Sequence, residues 1–507
     1  MTLPVRPQPV LTASRSWPLH LATACRDIEQ RAAATLPEHT LMARAGDAVA
    51  RLALALAPHA RTFELWCGPG NNGGDGFVAA THLRAAGKDA QLVVVGDPAR
   101  APDDARHAWQ QARAAGVPVR AGLPERVAAD LAIDALLGLG VNRALSGTLA
   151  QAVQRLNDAD APVLAVDLPS GLHSDSGAVD GVAVRAAHTL ALLALKPGLF
   201  TAQGRDHAGR VWFDDLQLGD IPSSLELTGG DAARALALPR RHAQHKGSFG
   251  DVVVIGGATG MVGAALLAAR AALAAGAGRV YLGLLATTDA AWYEPAQPEL
   301  MARPLAQLVV PALLDQATVV CGCGGGSAVR DVLPTVLHHA RRLVLDADAL
   351  NAIASDGALK RALRARAARG LASALTPHPL EAARLADQKS GDVQSDRLRA
   401  STHMADALQC SVLLKGSGTV IATPGQTTAI NPTGDARLGS AGSGDVLAGW
   451  VGGLWSAHAQ HSGAHDALRA AAWLHGAAVD HGPRVGPLRA SRLIEAMVAA
   501  RDALLER

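Results

Sequence analysis

The chain has 507 residues, 49% hydrophobic and 18% charged, with a net charge of +2 at neutral pH. That length accommodates two or three domains with cores of their own, and the balanced charge argues against a nucleic-acid or membrane surface. The five scattered cysteines, Cys25, Cys67, Cys321, Cys323 and Cys410, do not form the pattern of a disulfide framework. Cys321-Gly-Cys323 lacks a nearby second Cys/His pair for zinc and reads as small residues near a strand end.

The first 18 residues hold four prolines and no apolar stretch of signal-peptide type. No uncharged apolar run approaches the ~20 residues that span a bilayer; residues 263–278 come nearest, and Arg270 interrupts them. A cytoplasmic location is expected. Apolar β-type runs then alternate with Ala-rich helical stretches. In the first half the runs are 62–67, 91–95, 131–134, 163–167 and 189–193; in the second, 252–255, 280–284, 318–321, 343–345, 371–375 and 412–415. Near-continuous apolar strands separated by helices predict parallel sheets covered on both faces. The stretch 218–241, with Pro222, Gly229, Gly230 and Pro239, marks a boundary. The expectation is two α/β domains, 1–225 and 226–507, each with its own Gly-rich site.

In the first half, Cys67-Gly-Pro-Gly-Asn-Asn-Gly-Gly-Asp-Gly76 lies between the 62–67 strand and a helix expected over 77–86. A Gly-rich turn there puts free N–H groups at the sheet's carboxyl edge, where α/β folds bind ligands. Further segments end strands at the same edge: Asp134-Ala-Leu-Leu-Gly138, running on to Arg143; Val166-Asp167-Leu-Pro-Ser170-Gly171; and, with less functional weight, Lys196-Pro-Gly198. Taken singly, either Asp reads equally as a cap or turn residue. Asn72, Asp134 and Ser170 could supply hard oxygens to a monovalent cation, which spacing alone does not establish.

With Leu41-Met-Ala-Arg-Ala-Gly46, these motifs resemble the NAD(P)H-hydrate epimerase domain of the YjeF N-terminal type, over residues 26–213. The resemblance implies a Rossmann-like α/β/α domain that interconverts the R and S hydrates of NADH and NADPH, which carry a hydroxyl on C6 of the nicotinamide ring. It implies hydrate binding by Asn71, Asn72, Gly73, Gly74 and Asp75, by Gly138, Leu139, Gly140, Val141, Asn142 and Arg143, and by Asp167. It also implies K⁺ held by Asn72, Asp134 and Ser170. Epimerisation at a hemiaminal carbon needs an acid–base group, and Asp167 is the candidate.

In the second half, His245-Lys-Gly-Ser-Phe-Gly250 precedes a strand that leads into Gly256-Gly-Ala-Thr-Gly-Met-Val-Gly-Ala264 and an Ala-rich core helix. Strands end in Cys321-Gly-Cys-Gly-Gly-Gly326, in Leu345-Asp346-Ala-Asp348-Ala-Leu-Asn351 and in Thr376-Pro-His378-Pro-Leu-Glu381. Leu414-Lys415-Gly-Ser-Gly-Thr419 joins two β runs, as a plain hairpin or as a phosphate loop. The run from Asn431-Pro-Thr-Gly434 to Gly442-Ser-Gly-Asp445 opens an apolar segment. Its small residues admit a phosphate to backbone N–H groups at a helix start, and Asp445 is placed as a base for a phosphoryl acceptor.

Together these resemble the ADP-dependent NAD(P)H-hydrate dehydratase domain, which has a ribokinase-like α/β/α fold, over residues 236–494. The resemblance implies contacts of Ala264, Gly324, His378 and Asp445 with the hydrated cofactor, and of Lys415, Gly416, Ser417, Gly418, Thr419 and Gly444 with the adenine nucleotide. It implies ADP and Mg²⁺ at this site, Asp445 as catalyst, and assembly as a homo-oligomer. The reading is a bifunctional cofactor-repair enzyme, epimerase then dehydratase, leaving AMP and phosphate. The alternative is a ribokinase-like vitamin or small-alcohol kinase with a non-catalytic N-terminal ligand-binding module.

Overall fold

The computed structural model describes residues 7–141, 143–237, 239–286 and 294–506. The chain divides into two compact units, Met1–Leu11 with Pro18–Leu225, and Thr12–Trp17 with Glu226–Arg507.

The first unit is built on an eight-stranded sheet in the order Gln8–Pro9, Arg210–Asp214, His188–Leu192, Val163–Val166, Leu131–Ala135, Thr62–Cys67, Asp89–Val94, Val119–Arg120. Its pairs are parallel except at the Gln8–Pro9 edge. Alternate residues feed opposite cores. Phe63, Leu65, Ile133 and Leu164 enter one, and Trp66, Ala132 and Ala165 the other. Burial on both faces is why these strands read as continuous apolar runs. From Thr62–Cys67 the chain works outward to Val119–Arg120, then returns to Leu131–Ala135 on the other side. The carboxyl ends of those two central strands therefore flank a topological switch point, where open α/β sheets bind ligands.

The helix after Thr62–Cys67 runs Asn71–Ala85, so it starts six residues before the position expected from sequence. Gly73, Gly74 and Gly76, read as part of a turn, lie in its first turns. A Cβ at Gly73 would come within 2.1 Å of Gly68 O, and one at Gly76 within 2.6 Å of Cys67 Sγ. They let the helix start press on the strand end.

The second unit holds nine sheet strands in the order Met301–Ala302, Arg279–Leu284, Asp251–Gly256, Thr318–Cys321, Arg342–Leu345, Ala372–Leu375, Ser411–Leu414, Thr419–Ala422, Thr428–Asn431. Pairing is parallel as far as Ser411–Leu414 and antiparallel from there to Thr428–Asn431. Residues 414–419 are thus the turn of a hairpin. Asp251–Gly256 and Thr318–Cys321 flank the second switch point. Helix Ser443–Ala457 packs on helix Val262–Ala274 with backbones in close approach: a Cβ at Gly449 would sit 2.0 Å from Ala268 O, and one at Gly453 would sit 2.3 Å from Ala272 O. Among the described residues no helix is long and apolar enough to cross a membrane.

Candidate active sites

At the first switch point Asp167 follows its strand in the left-handed conformation, φ 65°, uncommon for a residue with a side chain. Its N–H donates to Leu190 O at 2.7 Å. Its Oδ1 accepts from Leu192 N at 3.2 Å and from the Lys196 ammonium. Lys196 is buried and also donates to Leu192 O at 2.7 Å. On the other side, a Cβ at Gly138 would lie 3.4 Å from Asp167 Oδ2 and 3.4 Å from Asn72 Oδ1. Asp167, the loop after Leu131–Ala135 and the first turn of the Asn71–Ala85 helix therefore meet.

Two more carboxyls face this cluster. Burial, then the charge of Asp167, pushes Asp75 well above the usual range. The same causes raise Glu29, which hydrogen-bonds Asn71 from helix Ala22–Ala33. Two carboxyls raised in this way thus stand beside the lysine-paired Asp167.

Asp134 is buried at its strand's end and accepts from Leu136 N at 3.2 Å, Ser170 N at 2.8 Å and Ser170 Oγ at 2.6 Å. Burial still pushes its carboxyl up to about 6. Asn72 Nδ2 is buried without a partner, and an amide's two ends are interchangeable. A buried carboxylate, a hydroxyl and an orphaned amide make a hard-donor set that suits a monovalent cation. Of the other residues expected here, Gly73 and Gly74 are buried in the helix, and Leu139 offers its carbonyl to Arg26 at 3.3 Å. Val141 is half-buried, Gly140 and Arg143 are exposed, and Asn142 lies outside the described residues.

At the second switch point the loop after Asp251–Gly256 is stitched to the Cys321–Gly326 loop by Gly257 N donating to Cys323 O at 2.9 Å and Ala258 N to Gly324 O at 2.7 Å. This sets Ala264 against Gly324, where an added Cβ would meet the Ala264 methyl at 2.9 Å. Helix Ser443–Ala457 begins after Gly442, φ 88°, and carries Asp445 in its first turn. The half-buried His475 donates from Nε2 to Ser443 O at 3.0 Å, pinning that turn; desolvation pushes the imidazole down to about 4, so it stays neutral.

Asp445 converges with Cys323 and Asp346: one ligating atom from each lies within 4.8 Å of the others. Burial, then the charge of Asp346, pushes Asp445 up to about 6. Asp346 Oδ1 accepts from Lys415 Nζ at 2.9 Å and Thr376 Oγ1 at 2.8 Å. Lys415 also faces Glu381 Oε2 at 4.0 Å, and a Cβ at Gly444 would lie 3.2 Å from its Nζ. Burial works against the Lys415 charge, but Asp346 and Glu381 outweigh it and raise its pKa. Burial lifts Glu381 to about 7. Asp346 supplies a carboxylate of the kind that Mg²⁺ commonly takes alongside substrate phosphates; the Cys323 thiol does not suit that ion.

His378 is the N-cap of helix Pro379–Ala386. Its Nδ1 accepts from Leu380 N at 3.1 Å and Glu381 N at 3.3 Å, and Glu381 Oε2 accepts from His378 N at 2.8 Å, closing a capping box. Its Nε2 pairs with Glu381 Oε1 at 3.2 Å. Gly416 adopts φ 141° and Gly418 φ 61°, and Thr419 Oγ1 donates to Gly416 O at 3.1 Å; these two and Ser417 form the hairpin turn. Gly444, Asp445 and Lys415, with His378 through Glu381, thus gather at the carboxyl edge of this sheet, and Gly416, Ser417, Gly418 and Thr419 follow Lys415 in the hairpin. Sequence reasoning passed over Lys196, Glu29, Asp346 and Glu381 as site residues. For three of them the signal was present, because Lys196, Asp346 and Glu381 stand in the motifs at strand ends; Glu29 sits mid-helix with none.

Residues 38–198 match the family model described as YjeF-related protein N-terminus, and residues 252–488 the model described as NAD(P)H-hydrate dehydratase. The chain is 36% identical over 455 residues to the bifunctional NAD(P)H-hydrate repair enzyme Nnr of Escherichia coli, covering 87% of this chain and 85% of that protein. It is 36% identical over 493 residues to the bifunctional NAD(P)H-hydrate repair enzyme of Leishmania braziliensis, covering 90% and 87%. Among solved structures, the ADP/ATP-dependent NAD(P)H-hydrate dehydratase of Bacillus subtilis aligns with a TM-score of 0.45 and 26% identity, over 54% of this chain and 96% of that one. On its matches to both domains and to relatives along most of its length, the chain belongs to the family of bifunctional NAD(P)H-hydrate repair enzymes.

Proposed function

We propose that the two switch-point sites act in series on hydrated NADH and NADPH. The first interconverts the R and S hydrates, with Asp167 as the acid–base group and with Asn72, Asp134 and Ser170 holding K⁺. The second dehydrates the S form at the expense of ADP, leaving AMP and phosphate. The placement of Asp445 carries this reading: a carboxyl raised by burial, in the first turn of a buried helix, beside a half-buried lysine and a second, buried carboxylate.

Asp445 accepts the proton of the C6 hydroxyl as that oxygen takes the β-phosphoryl group of ADP. Backbone N–H groups at residues 442–444 stabilise charge on the moving group, and Lys415 neutralises the nucleotide phosphates. Asp346 would hold Mg²⁺, which would offset phosphate charge when bound. The phosphorylated oxygen then leaves, pushed out by the ring nitrogen's lone pair, and loss of a C5 proton restores the dihydropyridine. Asn72, Asp134 and Ser170 would hold K⁺, which would supply fixed positive charge at the first site when bound.

The test is recovery of dihydronicotinamide absorbance from a mixed R/S NADPH hydrate with ADP and Mg²⁺. Wild type should recover all of it and Asp445→Asn none. Asp167→Asn should recover the S fraction and then slow to the spontaneous epimerisation rate. No recovery by wild type, with ADP or with ATP, sinks the reading.

A further inference from the structure

We infer that Lys196 is a positioning residue for epimerisation, which ties down Oδ1 of Asp167 and leaves Oδ2, facing Gly138 and Asn72, as the oxygen that exchanges protons with substrate. This rests on the reading of the first unit as an epimerase.

The geometry separates the two oxygens. Oδ1 is held by Leu192 N and by the Lys196 ammonium. Oδ2 points to where Gly138 has no side chain, 3.4 Å from the position of an added Cβ, so the open side of the carboxyl is the side of the loop and helix start already assigned to substrate. The ammonium is itself fixed by its second bond, to Leu192 O at 2.7 Å. Asp167 and Leu193, φ 65° and 67°, both stand in the left-handed region. Their N–H groups are fixed by Leu190 O at 2.7 Å and Asp214 O at 2.9 Å. Non-glycine residues of this kind cost free energy and persist where the surroundings over-determine them, often at working sites.

A fully buried ammonium is a poor choice for stability alone. Desolvating such a pair is costly, and apolar replacements of such pairs are often neutral or better. Lys196 also acts on the rest of the cluster: its charge opposes the upward shifts of Glu29 and Asp75. The Lys196 ammonium is thus paired with Asp167 and its charge is felt at Glu29 and Asp75, as is that of Asp104.

Epimerisation balances with water alone. An acid gives its proton to the C6 hydroxyl, the C6–O bond breaks with the electron pair leaving on water, and N1 donates its lone pair to form an iminium ion. Water adds to the opposite face of C6, and Asp167 Oδ2 takes the excess proton, so that one proton is lent and one returned. A carboxylate free to rotate would offer either oxygen at a variable angle; one pinned at Oδ1 presents Oδ2 in a single direction.

The test uses the full-length chain, with dehydration of pure S hydrate as an internal control in the second unit. Lys196→Met should lower kcat for R-to-S conversion by about a hundredfold or more, with little change in KM and with S-hydrate dehydration unchanged. Lys196→Arg, or added methylammonium with Lys196→Ala, should restore part of it. Should Lys196→Met fail to fold, the double variant Lys196→Met/Asp167→Asn removes both charges; it should dehydrate normally and epimerise no more slowly than Asp167→Asn alone. A wild-type kcat in Lys196→Met, or a further large fall in the double variant beyond Asp167→Asn, overturns the assignment. A wild-type chain that dehydrates S hydrate but never epimerises overturns the underlying reading instead.

Discussion

Lys415 Nζ and Asp346 Oδ1 lie 2.9 Å apart, joined across 69 positions of sequence, and with Asp445 they place two carboxyls and an ammonium at one switch point. Asp346 is almost wholly buried, with 2% of its side chain exposed. Breaking such a pair from one side strands a charge, at a cost of about 3–5 kcal/mol. Lys415→Met should therefore destabilise the second unit by about 3 kcal/mol in denaturant unfolding and raise the KM for ADP at least tenfold. Lys415→Met/Asp346→Asn should regain most of the stability and none of the nucleotide affinity. An unchanged KM in the single variant would remove Lys415 from the nucleotide site.

The raised carboxyl of Asp445 gives dehydration an acid limb. Only its ionised form can accept the hydroxyl proton, so kcat/KM for S hydrate should fall as pH drops through about 6. Stability runs the other way. With a folded pKa above the unfolded one, this group's contribution is complete below the ordinary carboxyl range and is lost as pH rises through about 6. Asp346→Asn removes the second-largest cause of the elevation and should move the acid limb to lower pH; a limb that stays in place would assign it to another group.

These sites were legible in sequence to different depths. Strands such as Thr62–Cys67 and Thr318–Cys321 were readable to the residue because burial on both faces leaves an unbroken apolar run. Strand Arg210–Asp214 was not, since it opens and closes on charge and is only partly buried. The run from Asn71 to Gly76 reads as a loop by glycine content, yet it is helix. Contact with Gly68 and Cys67 demands small residues there, and tertiary contact outweighs propensity. Cys323 reads as a small residue at a strand end, but it lies beside Asp346 and Asp445. The pairing of Lys196 with Asp167 was hidden for the same reason: the two come together only when neighbouring strands end side by side.

Asp134 makes a prediction about K⁺. Its carboxyl is held up to about 6 by burial, so above that pH the fold carries a buried charge. Each pH unit by which a carboxyl is raised corresponds to about 1.4 kcal/mol against its ionised form. A cation bound by Asp134, Ser170 and Asn72 offsets that charge. Replacing choline with K⁺ should raise the melting temperature of the first unit at pH 8, and much less at pH 5. Asp134→Asn should abolish the difference. Equal melting in K⁺ and choline at pH 8 would argue against a cation there.

His378 combines two roles that a substitution can separate. Its Nδ1 caps helix Pro379–Ala386, and loss of such a cap costs about 1 kcal/mol. Burial, then the nearby Lys415 charge, lowers its pKa, so the imidazole is neutral at pH 7, with the proton on Nε2 because Nδ1 accepts. Asn is as good a cap as any residue but has no ring and reaches less far. His378→Asn should therefore leave unfolding within about 0.5 kcal/mol of wild type while raising the KM for S hydrate about tenfold or more. His378→Ala should show both effects, since it loses the cap as well as the ring. If His378→Asn keeps a wild-type KM, the residue is a helix cap alone and His378 drops out of the substrate site, leaving Asp445, Gly324 and Ala264 to hold the hydrate.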